Sequence, residues 1–391
     1  MRSWRKSALS IALVVATLAA CSDRGSESAP TNVSDPKSER TSFVRSTELI
    51  NGTEVVSLRA LPSPLDPGFA WDLVPRRTFT LGPEDAPAVY DPRALLDLGS
   101  VIVVSDPYSD SPLKLLDPAT GELRVEFGRK GQGPGELGDR LVFMRNGPDS
   151  FAVLDTNNRQ VHRFTATGVQ QESLPYQPPF TVASGYPMLG VGGLMVSYPD
   201  GVGSLAAFDS LGGYVATLAP LPEMPSTIEP GVITRGRPLV AALPGSAVTM
   251  FSGDPLVRVY ELDGDEREIR LPLSSRRLTN EDIDLAREEV GDYLASSLRP
   301  GPIALTNDIQ PLGDTVFGLF LNDMWRAAGD PRLPAREVYW RLFTVAGEYL
   351  GTLRQPDGFR ILGVGDGVVW ARTLNDIGQP TISEFELHRV E

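Results

Sequence analysis

Short apolar runs alternate with turn residues along most of the chain, from about residue 72 onward. The runs are bounded by Gly, Pro, Asp or Asn, a pattern that predicts β-strands joined by tight turns. One unit recurs: an apolar run, a polar gap, and a second run that leads toward a glycine turn. The paired runs are 101–106 with 112–117, 150–155 with 160–164, 193–197 with 205–208, 247–251 with 256–260, 315–320 with 338–343, and 367–371 with 382–387.

The spacing of the turn glycines predicts a propeller. Gly121, Gly168, Gly213 and Gly264 are separated by 47, 45 and 51 residues, close to the ~40–50 residues of one four-stranded propeller blade. The next interval, to Gly347, is 83 residues. An insertion explains this longer step better than a missing blade, so the repeat predicts six blades.

The long interval contains two segments that do not follow the strand pattern. Residues 278–298 place acidic and apolar side chains at helical spacing, and Thr279 with Asp282 offers a capping-box start. Residues 322–335 are irregular. We therefore expect a short helical insertion at about 278–298.

Closure of a ring requires a partner for the last run. Each blade has two apolar faces, so no blade is stable alone and each is covered by its neighbours. Residues 78–81, preceded by 71–74, are expected to complete the last blade beside 382–387. The predicted fold is all-β, a six-bladed β-propeller over residues 71–391. The rival interpretation is a β-sandwich followed by an α/β domain.

The N-terminal residues have the pattern of an export signal. Three basic residues precede an apolar run at 8–20 that is too short to span a bilayer comfortably. Residues 18–21 (Leu-Ala-Ala-Cys) resemble the lipobox of bacterial lipoproteins, which implies cleavage before Cys21 and acylation of that residue. We predict that residues 1–20 are a lipoprotein signal peptide and that Cys21 is the lipid attachment site. The alternative is an ordinary secretory signal with Cys21 as a bystander.

A polar segment follows the cysteine. Residues 22–45 contain almost no large apolar side chain, so they cannot bury enough surface to fold. We assign residues 21–70 to a lipidated, disordered and flexible tether. Ser22 stands where an Asp would signal retention in the inner membrane, and the resemblance to Gram-negative lipoproteins implies the outer membrane, facing the periplasm or the surface.

Charge and cysteine content exclude several classes of partner and site. The formal charge is −14, and it becomes −17 without residues 1–20, which carry three basic and no acidic residues. Phosphate backbones repel such an acidic chain, so no nucleic-acid partner is expected. Cys21 is the only cysteine, which excludes an intramolecular disulfide and multi-cysteine metal sites.

Two neighbouring stretches resemble NHL-type propellers. Residues 127–137 (FGRKGQGPGEL) resemble the blade-to-blade loop of that family, and residues 153–164 (VLDTNNRQVHRF) resemble its hairpin. The resemblance implies that Arg159 links neighbouring strands and blades. Later copies repeat neither motif, so the resemblance bears on the fold. The whole chain most resembles bacterial six-bladed propeller lipoproteins.

The glycine-rich loop at 128–135 allows two interpretations. Its four glycines could form a phosphate cradle, but Lys130 is followed by glycine where a P-loop requires Ser or Thr, and no helical pattern follows. The favoured interpretation is structural: the glycines permit positive φ, and Pro134 stiffens the crossing between blades.

The sequence offers no set of residues for nucleophilic catalysis. His162 and His388 are the only histidines, and both lie in alternating patterns typical of partly exposed strand residues. They are too few for a hydrolase zinc site, no Gly-x-Ser-x-Gly elbow precedes a helix, and an acylated Cys21 cannot be a nucleophile. We therefore name no catalytic, metal-binding or cofactor-binding residue and expect no cofactor.

Carboxylates leave calcium chemistry open. The oxygen-ligand candidates are Asp106 with Asp110, Asp155 with Asn157, and the turn at 263–265. No complete EF-hand spacing occurs, and turns favour Asp and Asn for local backbone hydrogen bonds, so we interpret these residues as solvated turns. Some six-bladed propellers that resemble this chain are calcium-dependent lactonases or lyases that hold the ion in the central channel.

Two functions remain. The first is a monomeric, membrane-anchored binding module of the cell envelope that uses one face of the ring for an unknown protein, peptide or glycan. The helical insertion, Trp325, Trp340 and Trp370 are candidate contributors, although blade tryptophans more often belong to the core. The second is a calcium-dependent hydrolase or lyase in the channel. We favour the binding module because no set of catalytic residues can be assembled and a fold alone gives no function. Acidic side chains that converge in the channel would favour the hydrolase or lyase, and an apolar channel would oppose it.

Overall fold

The structure is a computed structural model that describes residues 45–62, 68–81, 89–175, 189–191, 194–197, 204–209, 214–220, 238–273, 277–290, 301–302, 306–321, 339–356, 358–375 and 378–390. The predicted signal peptide, Cys21, Gly213 and Trp325 lie outside these residues. The elements below belong to one compact unit, residues 43–391.

Strands dominate the first half of this unit. In chain order they are β1 (Arg45–Ile50), β2 (Thr53–Leu58), β3 (Ala70–Thr80), β4 (Ala94–Asp97), β5 (Ile102–Ser105), β6 (Leu113–Leu116), β7 (Leu123–Phe127), β8 (Leu141–Arg145), β9 (Ser150–Asp155), β10 (Gln160–Thr165), β11 (Gln170–Pro175), β12 (Leu189–Val191), β13 (Leu194–Ser197), β14 (Ser204–Asp209) and β15 (Tyr214–Pro220).

The second half continues the pattern and adds one helix. The elements are β16 (Pro238–Leu243), β17 (Ser246–Phe251), β18 (Leu256–Glu261), β19 (Glu266–Arg270), β20 (Arg277–Leu278), α1 (Asn280–Val290), β21 (Gly301–Pro302), β22 (Thr306–Pro311), β23 (Val316–Leu321), β24 (Tyr339–Thr344), β25 (Tyr349–Arg354), β26 (Arg360–Gly365), β27 (Val368–Leu374) and β28 (Pro380–Arg389).

Four antiparallel strands form the repeating unit of this all-β fold. The first, second and third groups are the separate sheets β4–β7, β8–β11 and β12–β15. The fourth and fifth groups are β16–β19 and β22–β25, and the sixth consists of β26–β28 with β3. A short parallel pairing of β25 with β3 joins the fifth and sixth groups into one larger sheet.

The apolar runs found in the sequence are the two middle strands of each group. The run at 150–155 is β9, and the run at 160–164 is β10 within one residue. Middle strands carry the clearest pattern because both of their faces are covered: every residue of β5 and of β6 is buried.

Strand β3 completes the last group, as the sequence predicted. It pairs antiparallel with β28 along nearly its whole length, with Thr78 opposite Ser383 and Phe79 opposite Ile382. The Thr78 and Ser383 hydroxyl oxygens are 3.0 Å apart. An N-terminal strand therefore closes a sheet made of the final three strands.

The assignment of residues 21–70 to a flexible tether is wrong for residues 45–58. Strands β1 and β2 form a hairpin whose turn residues, Asn51 and Gly52, both have positive φ (52° and 89°), as a type I′ turn requires. Strand β2 then pairs in parallel with β19 and extends the fourth group. Val55 and Val56 are buried by this addition, which explains why a segment next to a polar stretch is ordered.

Neighbouring groups contact one another through their first strands. The contacts join β4 to β8, β8 to β12, β12 to β16, β16 to β22, and β26 back to β4. Turn glycines contribute to the packing between groups. A Cβ atom on Gly121 would lie 2.5 Å from the ring of Phe79 in β3, and one on Gly168 would lie 3.3 Å from Phe127 in β7. At Gly121 and Gly168 the turn is therefore packed against the strand of another group, whereas a Cβ atom on Gly264 would meet no neighbour within 4 Å.

Along the chain, the helix α1 follows the fourth group and precedes the fifth. Its residue Ile283 is buried. It covers residues 280–290 of the predicted helical segment, and residues 291–298 lie outside the described part of the chain. No helix within the described residues has the length and apolarity needed to cross a membrane.

Candidate functional site

One edge of the first two groups carries the loops that link a group to the next. In the first group, Ala94, Ser105, Leu113 and Phe127 lie side by side at this edge. We call it the upper edge: the first and third strands begin there, and the second and fourth strands end there. In the sixth group, β26 begins at Arg360, which places that residue at the corresponding edge.

A buried carboxylate organises the upper edge of the first group. Asp106 follows β5 and is fully buried. Its Oδ2 accepts a hydrogen bond from the Tyr90 N–H at 2.7 Å, and its Oδ1 accepts one from the Tyr108 N–H at 3.3 Å. One side chain therefore fixes the backbone of two tyrosines that belong to different loops.

The two tyrosines stand beside two arginines. Tyr90 is 57% exposed and Tyr108 is 69% exposed, and the Arg93 guanidinium lies over the Tyr108 ring at 5.8 Å from its centre. Asp91 binds Arg93 at 2.5 Å and Arg360 at 2.9 Å. These five residues, which we call the Tyr–Arg cluster, connect the first group to the sixth.

The second group shows that the buried aspartate does not require tyrosine around it. Asp155 occupies the same place at the end of β9, is fully buried, and accepts hydrogen bonds from the N–H groups of Gly138 at 2.6 Å and Asn157 at 3.0 Å. Gly138 and Asn157 thus stand where the first group has Tyr90 and Tyr108. Two corresponding N–H groups bind the aspartate in both groups, although the loop that follows is longer in the first group, at 106–112, than in the second, at 156–159. Exposed aromatic rings are therefore not needed for these two hydrogen bonds.

The glycine-rich loop is structural, as predicted. Gly128, Gly131 and Gly135 all have positive φ. The Glu136 carboxylate accepts the Gly133 N–H at 2.7 Å and pairs with Arg129, so the loop surrounds a carboxylate of its own chain. The Gly133 hydrogen bond lowers the pKa of Glu136, with a further contribution from Arg129. An acid at this place leaves no support for the phosphate-cradle alternative.

The linking role expected of Arg159 is not seen among the described residues. Arg159 is exposed, with a positive φ of 56°, and it makes no hydrogen bond or ion pair to another described residue. The link is made instead by Asn158, whose amide nitrogen donates to the carbonyl oxygens of Gly131 at 3.0 Å and Glu136 at 3.2 Å. The Asn-Asn-Arg motif therefore joins the hairpin to the glycine-rich loop through an amide that can reach two carbonyls at once.

The two histidines differ in exposure, and His162 is more buried than the sequence predicted. His388 is exposed and lies 3.2 Å from Glu386. His162 was expected to be partly exposed but is fully buried, because β10 is covered on both faces. Its Nδ1 lies 2.9 Å from the Ser173 hydroxyl, and its Nε2 has no hydrogen-bond partner among the described residues. Burial lowers the pKa of His162, and the nearby Asp155 carboxylate opposes part of that shift.

The calcium-ligand candidates are turn residues, as interpreted, but two of them are not solvated. Asp106 and Asp155 are fully buried, and both oxygens of each carboxylate accept backbone N–H groups. The Oδ1 of Asp263 accepts the Asp265 N–H within its turn. The described residues contain no cluster of three or more His, Cys, Asp or Glu able to hold a metal ion.

An apolar contact crosses between groups that are not neighbours in the chain. Val364 of β26, in the sixth group, packs against an apolar cluster that includes Val240 and Ala242 of β16, in the fourth group. Because both strands are the first of their groups, the contact lies where first strands face one another.

Trp340 and Trp370 belong to the core, in agreement with the more frequent role of blade tryptophans. Both are buried, and the Trp340 indole donates to the Gln355 side chain at 2.9 Å. They cannot contribute to a surface site. The Tyr–Arg cluster was not identified from the sequence, although one signal was present: Tyr108 follows a run-ending Asp by two residues, as Asn157 does in the second copy.

No protein-family model matches this chain, and no curated protein is similar to it in sequence. Solved structures do show a similar fold. A member of the DUF4221 family from Bacteroides vulgatus has a TM-score of 0.50 and 12% identity, over 83% of this chain and 100% of that one. A Bacteroides fragilis protein thought to be exported has a TM-score of 0.49 and 13% identity, over 86% and 100%. Virginiamycin B lyase from Staphylococcus aureus has a TM-score of 0.38 and 9% identity, over 81% and 99%. These neighbours are β-propeller proteins, and identities this low bear on the fold alone.

Proposed function

We propose that this chain is a lipid-anchored binding module of the cell envelope, built as a six-bladed β-propeller, and that its Tyr–Arg cluster binds an acidic glycan. The six groups of four strands and the contacts among their first strands support the blade count. The likeness to a Bacteroides fragilis protein thought to be exported agrees with a location outside the cytoplasm.

The observation that carries the binding proposal is the difference between the surroundings of Asp106 and those of Asp155. Asp106 holds Tyr90 and Tyr108, whereas Asp155 holds Gly138 and Asn157 with the same backbone hydrogen bonds. Exposed aromatic rings increase apolar contact with water and are not required by the turn. A binding role explains why they occur in the first group and not in the second.

The chemistry of the cluster favours an acidic ligand with ring-shaped units. Arg93 and Arg360 share the single carboxylate of Asp91, so the five residues of the cluster carry one net positive charge beside the buried Asp106 carboxylate, in a chain that is acidic overall. Guanidinium groups bind carboxylates through paired N–H donors. Tyrosine rings offer flat apolar surfaces with a polar tip, which suits the C–H faces and hydroxyl groups of sugars. An acidic polysaccharide satisfies both requirements.

Affinity electrophoresis tests this proposal. We expect polygalacturonate in the gel to slow the full chain, and uncharged dextran to leave its mobility unchanged. The double variant Tyr90→Ala/Tyr108→Ala removes the rings but keeps the N–H groups bound to Asp106, so it should stay folded and bind at least about tenfold more weakly. Arg93→Ala should weaken binding in the same way.

Arg124 supplies the matched control. It is 46% exposed and pairs with Asp117 at 2.5 Å, as Arg93 is 43% exposed and pairs with Asp91 at 2.5 Å, but it lies away from the cluster. Arg124→Ala should bind polygalacturonate like the natural chain. Retardation that survives in the tyrosine variant, or none in the natural chain, would refute the proposal. If polyglutamate slows the natural chain and polygalacturonate does not, the ligand is an acidic polypeptide and not a glycan.

The lipid anchor has a separate test. A basic start, a short apolar run and the sole cysteine at the end of a lipobox-like tetrapeptide support acylation of Cys21. In a Gram-negative host grown with a clickable palmitate analogue, the natural chain should carry the label and partition into the detergent phase. Cys21→Ser should lose both properties. Equal labelling of the two chains would contradict the anchor.

A further inference from the structure

A groove of about 410 Å³ lies between the fifth and sixth groups, at the ends of the strands opposite the upper edge. Small-molecule sites commonly measure about 300–1,000 Å³. The floor of the groove is apolar and its rim is acidic. The floor is formed by Trp71, Leu312, Val316, Leu350 and Leu387, and the rim includes Asp314, Thr315, Glu386 and His388.

The floor is held in place by a hydrogen bond and by the core. The Trp71 indole donates its N–H to the Leu350 carbonyl oxygen at 2.8 Å, which uses the only donor of that ring. Trp71, Val316 and Leu387 are partly buried against the apolar cluster shared by the fifth and sixth groups. The groove therefore exists before any ligand enters and offers an aromatic ring with no unsatisfied polar atom.

The rim carries an excess of negative charge. Glu386 pairs with Arg76 at 3.2 Å and lies 3.2 Å from His388. Asp314, in the turn between β22 and β23, is exposed and has no ion-pair partner among the described residues. Carboxylates beside an aromatic ring favour an ammonium ion, through charge pairing and through the negative face of the ring.

We infer that this groove is a second binding site, for a small organic ammonium ion with an apolar body. The apolar body would contact Trp71, Val316 and Leu350, and the ammonium group would pair with Asp314, the rim carboxylate that has no ion-pair partner among the described residues. This site is separate from the Tyr–Arg cluster and opposite to it in charge preference. The test of this site does not depend on the outcome of the glycan test.

Ligand-observed NMR with phenethylammonium as the probe tests the site. We expect saturable binding to the full chain, and at least about tenfold weaker binding of the uncharged analogue 2-phenylethanol. Asp314→Asn removes the rim charge at an exposed turn and should weaken phenethylammonium binding about tenfold without affecting folding. Val316→Trp should fill the groove and abolish binding of the probe.

Asp263→Asn is the control, because Asp263 is an exposed turn carboxylate outside the groove. It should bind phenethylammonium like the natural chain, and circular dichroism melts confirm that each variant is folded. Equal binding of phenethylammonium and 2-phenylethanol would overturn the assignment to an ammonium ion. Binding that persists in Val316→Trp would show that the probe sits elsewhere, and the absence of saturable binding would overturn the site.

Discussion

At the scale of single residues, burial decides what a polar side chain does. The sequence marked Asp106 and Asp155 as turn residues, and the structure agrees, but it buries both carboxylates among backbone N–H donors. Local sequence could not reveal this, because one N–H donor to each carboxylate belongs to a residue 16 or 17 positions earlier, in the loop that leads into the first strand of the group. The same limit explains His162, whose alternating neighbours suggest a half-exposed strand until other groups cover it.

The buried His162 should make stability depend on pH. Its pKa is lowered in the folded protein, mainly by burial, so the unfolded chain takes up a proton more readily. As the pH falls below the usual value of about 6.5 toward the folded value, the free energy of unfolding should therefore decrease. His162→Gln should cost about 1 kcal/mol at neutral pH, through the lost contact with Ser173, and should reduce this pH dependence.

Urea unfolding at about pH 7.5 and about pH 5.5 measures the effect. The difference in the free energy of unfolding between the two conditions should be smaller for His162→Gln than for the natural chain. His388→Gln, at an exposed position, should retain the full difference. An unchanged difference in the His162 variant would show that the buried imidazole does not carry the effect.

At the scale of elements, hydrophobic pattern revealed the two middle strands of every group but few of the inner and outer ones. Strand β22 reads Thr-Asn-Asp-Ile-Gln-Pro, and β11 is almost fully exposed, so neither shows an apolar face to a reader of the sequence. Both exist because a neighbouring strand supplies the hydrogen bonds. The hairpin of β1 and β2 was missed for another reason: the polar residues before it suggested a tether, although Asn51-Gly52 between apolar residues is a strong hairpin signal.

At the scale of the whole molecule, closure brings the candidate site together. Asp91 precedes the first group and Arg360 opens the sixth, so their contact at 2.9 Å exists only when the two groups are neighbours. Strand β3 makes them neighbours by pairing with β28 and by packing Phe79 on Gly121. Arg77 of β3 adds an ion pair with Asp97 at the end of β4, at 3.1 Å. The repeat in the sequence could predict this closure, but not the side chains that meet at the junction.

A cysteine pair across the closing strands tests the central claim, because the natural chain has one cysteine that can be removed. In the Cys21→Ser full chain, Thr78→Cys/Ser383→Cys should form an intramolecular disulfide under mild oxidant, since the two hydroxyl oxygens are 3.0 Å apart. The cross-link should speed migration on a non-reducing gel and stabilise the fold by about 2–4 kcal/mol. Thr78→Cys/Thr381→Cys, two residues out of register, should cross-link far less. No cross-link at 78/383, or equal yields for the two pairs, would contradict a ring closed by β3.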